Sequence, residues 1–213
     1  MVEARRLVVL DMDSTFIQEE VIDLLAAHAG VGEQVAAITE RSMSGELDFR
    51  ASLAERVALL KGLSTDIFEP VRQEITLSIG AQSMIETLHA RGHKVAVISG
   101  GFINVIAPIL ERAEVDFFKA NTLEVEDGKL TGRTTGHIID RAAKAEYLNE
   151  LADLLEIPLS QTVAVGDGAN DLGMMEIAGL SIAFNAKPII REFATKSITD
   201  GDLTGVLRYM ELI

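Results

Sequence analysis

Asp11-Met12-Asp13-Ser14-Thr15 directly follows the apolar run Leu7-Val8-Val9-Leu10. Two carboxylates at i and i+2 just beyond a strand end can be aimed at one place, the first at a substrate and the second beside it. Gly166-Asp167-Gly168-Ala169-Asn170-Asp171 stands after another apolar run and offers a third carboxylate, Asp167, to complete an oxygen-rich site. Hard oxygen ligands favour Mg²⁺, which keeps several waters and sits beside phosphate. With no cysteine and no His-Glu-x-x-His arrangement, the sequence offers zinc little. A carboxylate that attacks a phosphate meets like-charge repulsion, about 4 kcal/mol for two unit charges ~4 Å apart at an effective dielectric of about 20. Such a site needs cations, and Mg²⁺ with one lysine is the economical pair. Lys144, on the stretch leading toward the Asp167 run, is the natural lysine. Ser99-Gly100-Gly101 ends a further apolar run and offers a hydroxyl and exposed amides to phosphate oxygens, glycine allowing close backbone approach. A second carboxylate can protonate a leaving alcohol and then activate water.

Other motif readings fail. An EF-hand loop from Asp11 needs Gly at its sixth position and Glu at its twelfth, where Phe16 and Ile22 stand, and a loop from Asp167 has Ala169 at a ligand position. Val97-Ile98-Ser99-Gly100-Gly101 lacks the first glycine of a nucleophile elbow. Each site residue also has a plain structural alternative. Aspartates favour turns, Ser99 could cap a helix, Lys144 could lie on a solvated face paired with Asp140, and Asp171 could complement a helix dipole.

The elements that must carry these residues alternate. Short apolar runs at 6–11, 94–99, 162–166 and 180–184 read as buried strands of a parallel sheet, the second closed by Gly100-Gly101. Helical patterns at 81–91, 102–112, 140–155 and 170–178 separate them, the third with Asp140 at its N-cap and Pro158 beyond its end. The expectation is an α/β fold, a Rossmann-like parallel sheet with helices on both faces. Two stretches break the rhythm. Residues 16–76 read as helices with no convincing strand, a small helical cap inserted after the first strand. The core is then 1–15 with 77–213. Residues 120–133 alternate around Asp127-Gly128 and read as a β-hairpin. All the chemistry falls at C-terminal strand ends, where open α/β sheets bind ligands.

Composition bounds the partners. The chain has 213 residues, nearly half of them hydrophobic, which suits a folded globular protein. Without cysteine there is neither a disulfide framework nor thiolate chemistry. A formal charge of −14 with no Lys/Arg cluster sets the chain against nucleic acid and anionic membrane. No apolar run approaches the ~18 residues of a membrane span. Leu7 to Leu10 is too short for a signal-peptide core, and the same shortness argues against a twin-arginine signal at Arg5-Arg6. A cytoplasmic protein acting on a small molecule is expected; nothing in the sequence sets an oligomeric state.

Taken in order, Asp11-Met12-Asp13-Ser14-Thr15, Ser99-Gly100-Gly101, Lys144 and Gly166-Asp167-Gly168-Ala169-Asn170-Asp171 resemble the four motifs of the haloacid-dehalogenase-like hydrolases. The resemblance runs from Leu7 through Asp202-Leu203-Thr204-Gly205-Val206-Leu207. It includes Met43-Ser44-Gly45-Glu46-Leu47-Asp48-Phe49, Ser52-Leu53 and Arg56-Val57 in the inserted segment, which are similar to the members acting on phosphoserine. It implies Mg²⁺-dependent hydrolysis of O-phospho-L-serine to L-serine and phosphate through an aspartyl-phosphate, the last step of serine biosynthesis. Asp11 would be the nucleophile. Asp13 would be the general acid and base, with its backbone carbonyl on the metal. Asp11 and Asp167 would ligate Mg²⁺ through their carboxylates. Ser99, Gly100, Lys144 and Asn170 would hold phosphate, and Asp171 would orient Lys144 or the metal waters. Glu20 would meet the substrate ammonium and Arg56 its carboxylate, with Met43 and Phe49 closing over it. Phosphoserine carries three charged groups, and this set complements all three.

Outside the four motifs the plain alternatives are ordinary helix surface for Glu20 and Arg56 and packing between helices for Met43 and Phe49. His137 has no role in this reading. Longer members carry an extra N-terminal regulatory domain, so feedback through one is not expected here. A broader phosphomonoesterase or a phosphotransferase would use the same machinery; a dehalogenase would have little use for Asp13 and a metal. A non-catalytic protein binding metal or a phosphoamino acid on the same fold is the alternative from another class.

Overall fold

A computed structural model describes residues 4–213. The first strand, β1 (Leu7–Leu10), is buried along its whole length. Four helices follow: α1 (Val21–Ala29), α2 (Gly32–Met43), α3 (Phe49–Ala58) and α4 (Phe68–Glu74). The chain returns through α5 (Ala81–Ala90), β2 (Lys94–Phe102) and α6 (Ile103–Arg112) to the hairpin β3 (Phe117–Glu126) and β4 (Lys129–Thr135). It then crosses over by α7 (Arg141–Leu154) to β5 (Thr162–Gly166), α8 (Leu172–Ile177), β6 (Leu180–Phe184), α9 (Pro188–Phe193), β7 (Lys196–Ile198) and α10 (Gly205–Tyr209). The seven strands form one sheet in the order β4-β3-β2-β1-β5-β6-β7, parallel except for the β3–β4 pair. Among the described residues no helix is long and apolar enough to cross a membrane.

Strand periodicity sorts the core into two layers. Val8 and Leu10 point into one layer with Met84, Ile85 and Leu88 of α5 and Val105, Ile106 and Ile109 of α6. Leu7 and Val9 point into the other with Ala143 and Leu148 of α7 and Met174 and Met175 of α8. Because β1 and β5 are paired while their following strands run outward in opposite directions, the strand order reverses between them. That reversal leaves a crevice at their C-terminal ends, the standard ligand position in open α/β sheets. The helices of residues 21–74 lie over the same edge and lean on the hairpin, with Gly62 N donating to Leu130 O at 2.8 Å and Leu130 N to Leu63 O at 2.9 Å.

Three sequence expectations change. The second strand does not close at Gly100-Gly101 but runs on to Phe102, with a register shift against β3 between Ile98 and Phe102. The hairpin begins at Phe117, pairs in parallel with β2 and so extends the main sheet. The helix expected at 170–178 is a 3₁₀ turn (Ala169–Asp171) followed by α8.

Candidate functional site

β1 delivers Asp11 to the crevice, where Asp11 N donates to Val165 O of β5 at 2.9 Å. The chain then turns sharply. Met12 N donates to Asp11 Oδ1 at 2.7 Å, and Ser14 adopts a left-handed conformation with φ 54°. That turn sends Asp13 back toward the site. Its Oδ1 accepts from Val21 N at 2.9 Å, satisfying an orphan amide at the start of α1, and its Oδ2 accepts from Ser99 Oγ at 3.2 Å. Burial foremost, with Glu20 and Asp11 nearby, pushes the Asp13 carboxyl up to about 7.

Lys144 comes from the first turn of α7. Asp140 caps this helix, its Oδ1 accepting from Ala142 N at 3.1 Å and Ala143 N at 3.0 Å. Asp140 also meets Arg50 of α3 at 2.6 Å, so one carboxylate ties the overlying helices to the helix that carries the lysine. The Lys144 side chain is completely buried, with Nζ 2.6 Å from Asp11 Oδ1 and 2.6 Å from Asp171 Oδ1. Burial alone would lower its pKa; the two carboxylates outweigh that and hold it above its usual value. Asp171 Oδ2 in turn accepts from Gly168 N at 3.1 Å. Asp167, partly buried, accepts from Thr15 Oγ1 at 3.3 Å.

Ligand oxygens of Asp11, Asp167 and Asp171 lie within 4.8 Å of one another. Three carboxylates thus face one lysine cation. Desolvation, then the neighbouring Asp11 and Asp171, push Asp167 up to about 8, and desolvation with Asp11 pushes Asp171 up to about 6. A divalent cation fits this surplus of negative charge and this all-oxygen donor set. Asp13, named with the metal ligands from the sequence through its backbone carbonyl, keeps its carboxyl outside the cluster.

Ser99-Gly100-Gly101 lies across the crevice within β2. Ser99 Oγ accepts from Gly101 N at 2.8 Å, and a side chain at Gly101 would place its Cβ 2.6 Å from Asp13 Oδ2 and 3.0 Å from Ser99 Oγ. Asp13 is anchored at both oxygens and cannot give way freely. Gly101→Ala is therefore expected to lower turnover about 100-fold, as a 1 Å misplacement can, with little change in a thermal melt. Steady-state kinetics beside the melt check this.

The helices above contribute the remaining residues. The ring of Phe49 covers Gly100, where an added Cβ would meet Phe49 Cζ at 3.1 Å. Glu20 Oε1 accepts from Ser14 Oγ at 2.7 Å, and desolvation, with Asp11 and Asp23 near, raises its carboxyl. Arg56 Nε donates to Ser52 O at 3.3 Å. Burial lowers the Arg56 guanidinium, while the charges of Glu20, Asp23 and Asp13 act in the opposite sense. Glu20 and Arg56 thus lie close enough to feel each other's charge, Arg56 also feeling Asp13 and Glu20 feeling Asp11. Asn170 sits in the turn beside Asp171. Met43 is set apart: it is 65% exposed at the end of α2, its sulfur 4.0 Å from Lys187 Nζ, so it does not pack between helices.

Sequence reasoning passed over Asn121 of β3, which is buried and joins two parts of the site. Its Nδ2 donates to Gly100 O at 2.8 Å, and its Oδ1 accepts from Ile139 N at 2.8 Å just before α7. Asn121 carries a weak local signal, an amide in the middle of a strand, and its partners are distant in sequence.

The family model for haloacid dehalogenase-like hydrolases matches residues 8–176. A phosphoserine phosphatase of Streptomyces coelicolor is 53% identical over 204 residues, 96% of this chain and 50% of that protein. A phosphoserine phosphatase of Streptococcus thermophilus is 50% identical over 99% of this chain and 98% of that protein. The chain thus spans half of the first relative and nearly all of the second. A solved structure described as a phospho-aspartyl intermediate analogue of phosphoserine phosphatase superposes with TM-score 0.91 at 45% identity, covering 97% of this chain and 99% of that one.

Proposed function

The chain belongs to the haloacid dehalogenase-like hydrolases, and from that premise we propose that it is a phosphoserine phosphatase, hydrolysing O-phospho-L-serine to L-serine and phosphate. The observation that carries this reading is Asp11, ion-paired to the buried Lys144 at the strand-order reversal.

The roles follow from position. An Asp11 carboxylate oxygen attacks phosphorus, the bond from phosphorus to the serine oxygen breaks, and Asp13 delivers its proton to that oxygen. L-Serine leaves, and the phosphoryl group remains as an aspartyl-phosphate on Asp11. Asp13, now a carboxylate, takes a proton from water as that water attacks phosphorus. The Asp11–phosphorus bond then breaks and restores both groups. Lys144, with Ser99 Oγ, the Gly100 amide and Asn170, holds the phosphoryl oxygens, and Asp171 fixes Lys144. Mg²⁺ would be held by the carboxylates of Asp11 and Asp167 and the backbone carbonyl of Asp13, and would supply charge neutralisation at the phosphoryl group. Glu20 receives the substrate ammonium and Arg56 its carboxylate, while Phe49 and, from the rim, Met43 shield the site.

Residues 16–76 serve as a cap over a core of 1–15 and 77–213; opening admits substrate and closure excludes bulk water. The Arg50–Asp140 contact supports that division. The reaction is the last step of serine biosynthesis in this reading. The acidic, cysteine-free composition supports a cytoplasmic enzyme of small molecules, without nucleic-acid or membrane partners.

The test is phosphate release from L-phosphoserine with Mg²⁺ and again with EDTA, beside phosphothreonine, sugar phosphates and p-nitrophenyl phosphate. Metal-dependent preference for phosphoserine supports the reading. Metal-dependent release from the other esters alone leaves a broader phosphomonoesterase, and binding without turnover refutes an enzyme. Glu20→Gln and Arg56→Ala are each expected to raise KM for phosphoserine about 10- to 100-fold, the worth of a hydrogen bond to a charged group. Their KM for p-nitrophenyl phosphate, which has neither ammonium nor carboxylate, should move little. If KM for phosphoserine stays put in both, the substrate orientation is wrong.

A further inference from the structure

Ser52 is 1% exposed, and its hydroxyl has no hydrogen-bond partner among the described residues. A serine within a helix commonly bonds back to the carbonyl four residues earlier. Here the Asp48 carbonyl accepts Ser52 N at 3.0 Å, and Ser52 Oγ makes no bond to it. A buried, unpaired hydroxyl costs free energy and calls for an explanation.

Position on α3 supplies one. Phe49, Ser52 and Arg56 fall at i, i+3 and i+7, one stripe of the helix. Phe49 covers Gly100, so this stripe is the one that overlooks the crevice. Leu53 and Val57 serve the apolar core from the neighbouring arc, and Ser52 lies about 100° from Leu53 around the helix axis, on the flank away from it. Glu55, on the other side of Ser52, meets Arg41 of α2, so Ser52 stands between the α2–α3 seam and the stripe over the crevice. Arg56 points the same way: its Nε reaches back to the Ser52 carbonyl, bringing the guanidinium over the turn that carries the unpaired hydroxyl.

We propose that Ser52 is a further specificity residue, whose Oγ donates to the substrate carboxylate held by Arg56. The inference rests on the phosphoserine reading above. It gives the carboxylate a neutral donor beside its cation, so that both oxygens are engaged.

The test compares native protein with Ser52→Ala. It uses L-phosphoserine as substrate and O-phosphoethanolamine, which keeps the amine and phosphate but lacks the carboxylate, as a competing ligand. The expected result is a KM for phosphoserine raised about 10-fold. The inhibition constant of phosphoethanolamine should be unchanged, and the melting temperature no lower than native. Ser52→Thr, which keeps the hydroxyl, should recover part of the loss. An unchanged KM for phosphoserine would overturn the inference. So would equal weakening of both ligands, or a lowered melting temperature, each of which marks a packing role. Those failures leave native turnover of phosphoserine intact, whereas native protein inactive on phosphoserine overturns the functional reading and this inference with it.

Discussion

Asp11→Asn is expected to lower kcat for phosphoserine by on the order of 10⁴-fold or more, the range lost when a covalent nucleophile is removed. Asparagine has nearly the same shape, and its side-chain oxygen can still accept from Met12 N, as Asp11 Oδ1 does at 2.7 Å. The turn that follows β1 should therefore survive. Lys144 keeps Asp171 at 2.6 Å as a counter-charge. One like charge leaves the cluster of Asp11, Asp167 and Asp171, which offsets part of the lost ion pair. The substitution thus separates chemistry from folding: a melt close to native beside lost turnover. Binding of phosphoserine, measured by calorimetry in the presence of Mg²⁺, should persist, because Glu20, Arg56 and the Ser99-Gly100 donors are untouched. Turnover surviving within 100-fold of native would show that Asp11 is not the attacking group.

Lys144→Met should damage both function and fold. Methionine fills a similar volume but leaves Asp11 and Asp171 facing each other with no cation, in a place the lysine occupies with zero exposure. Breaking a buried pair from one side costs about 3–5 kcal/mol, far more than the net worth of the intact pair. At this chain length that corresponds to roughly 10 °C in melting temperature. Turnover should fall about 10²- to 10³-fold, the usual loss when one preorganised donor to a developing negative charge is removed. The two effects should separate with pH. In the metal-free variant acidification protonates Asp171, whose carboxyl burial and Asp11 already raise to about 6, and should restore part of the stability, whereas catalysis should not return. A variant that melts like the native protein would mean that the carboxylates find other compensation and that the ion-pair account is wrong.

The parts of the fold legible in the sequence are those whose signal is local. β1, β5 and β6 are runs of four or five residues, mostly buried, closed by abrupt polarity, and their expected limits match to within a residue or so. The cap of α7 was equally legible, because Asp140 stands one residue ahead of the helix it starts. β7 was invisible: Lys-Ser-Ile is three residues long with one buried side chain, and only pairing with β6 makes it a strand. β3 hid its first residues because Phe117-Phe118-Lys119-Ala120 has neither clean alternation nor a long apolar run. Its parallel pairing with β2 is a long-range fact. The glycines after Ser99 read as a stop but sit inside the strand, since a backbone close to Asp13 and Phe49 has no room for side chains there.

Site residues followed the same division. The motif residues were legible as a set, although Lys144 in Arg-Ala-Ala-Lys-Ala-Glu looks like a solvated helix face; its burial becomes visible only once Asp11 and Asp171 are placed around it. Asn121 carries only a weak local signal and Ser52 none, and each depends on which neighbours the topology supplies. Met43 has no local signature either: it is exposed at the end of α2, and only its sulfur's approach to Lys187 Nζ at 4.0 Å shows that this helix end reaches the segment after β6.

The central claim is that phosphate passes through Asp11 on its way from phosphoserine to water. The most direct measurement is a rapid acid quench of the Mg²⁺-loaded protein during turnover of phosphate-labelled L-phosphoserine. Borohydride reduction, which converts an acyl phosphate to an alcohol, and peptide mass analysis then locate the label. Label on the protein, with residue 11 recovered as homoserine and none in Asp11→Asn, is the predicted result. Steady release of phosphate with no label on the protein, or with the reduced residue at another position, would contradict it.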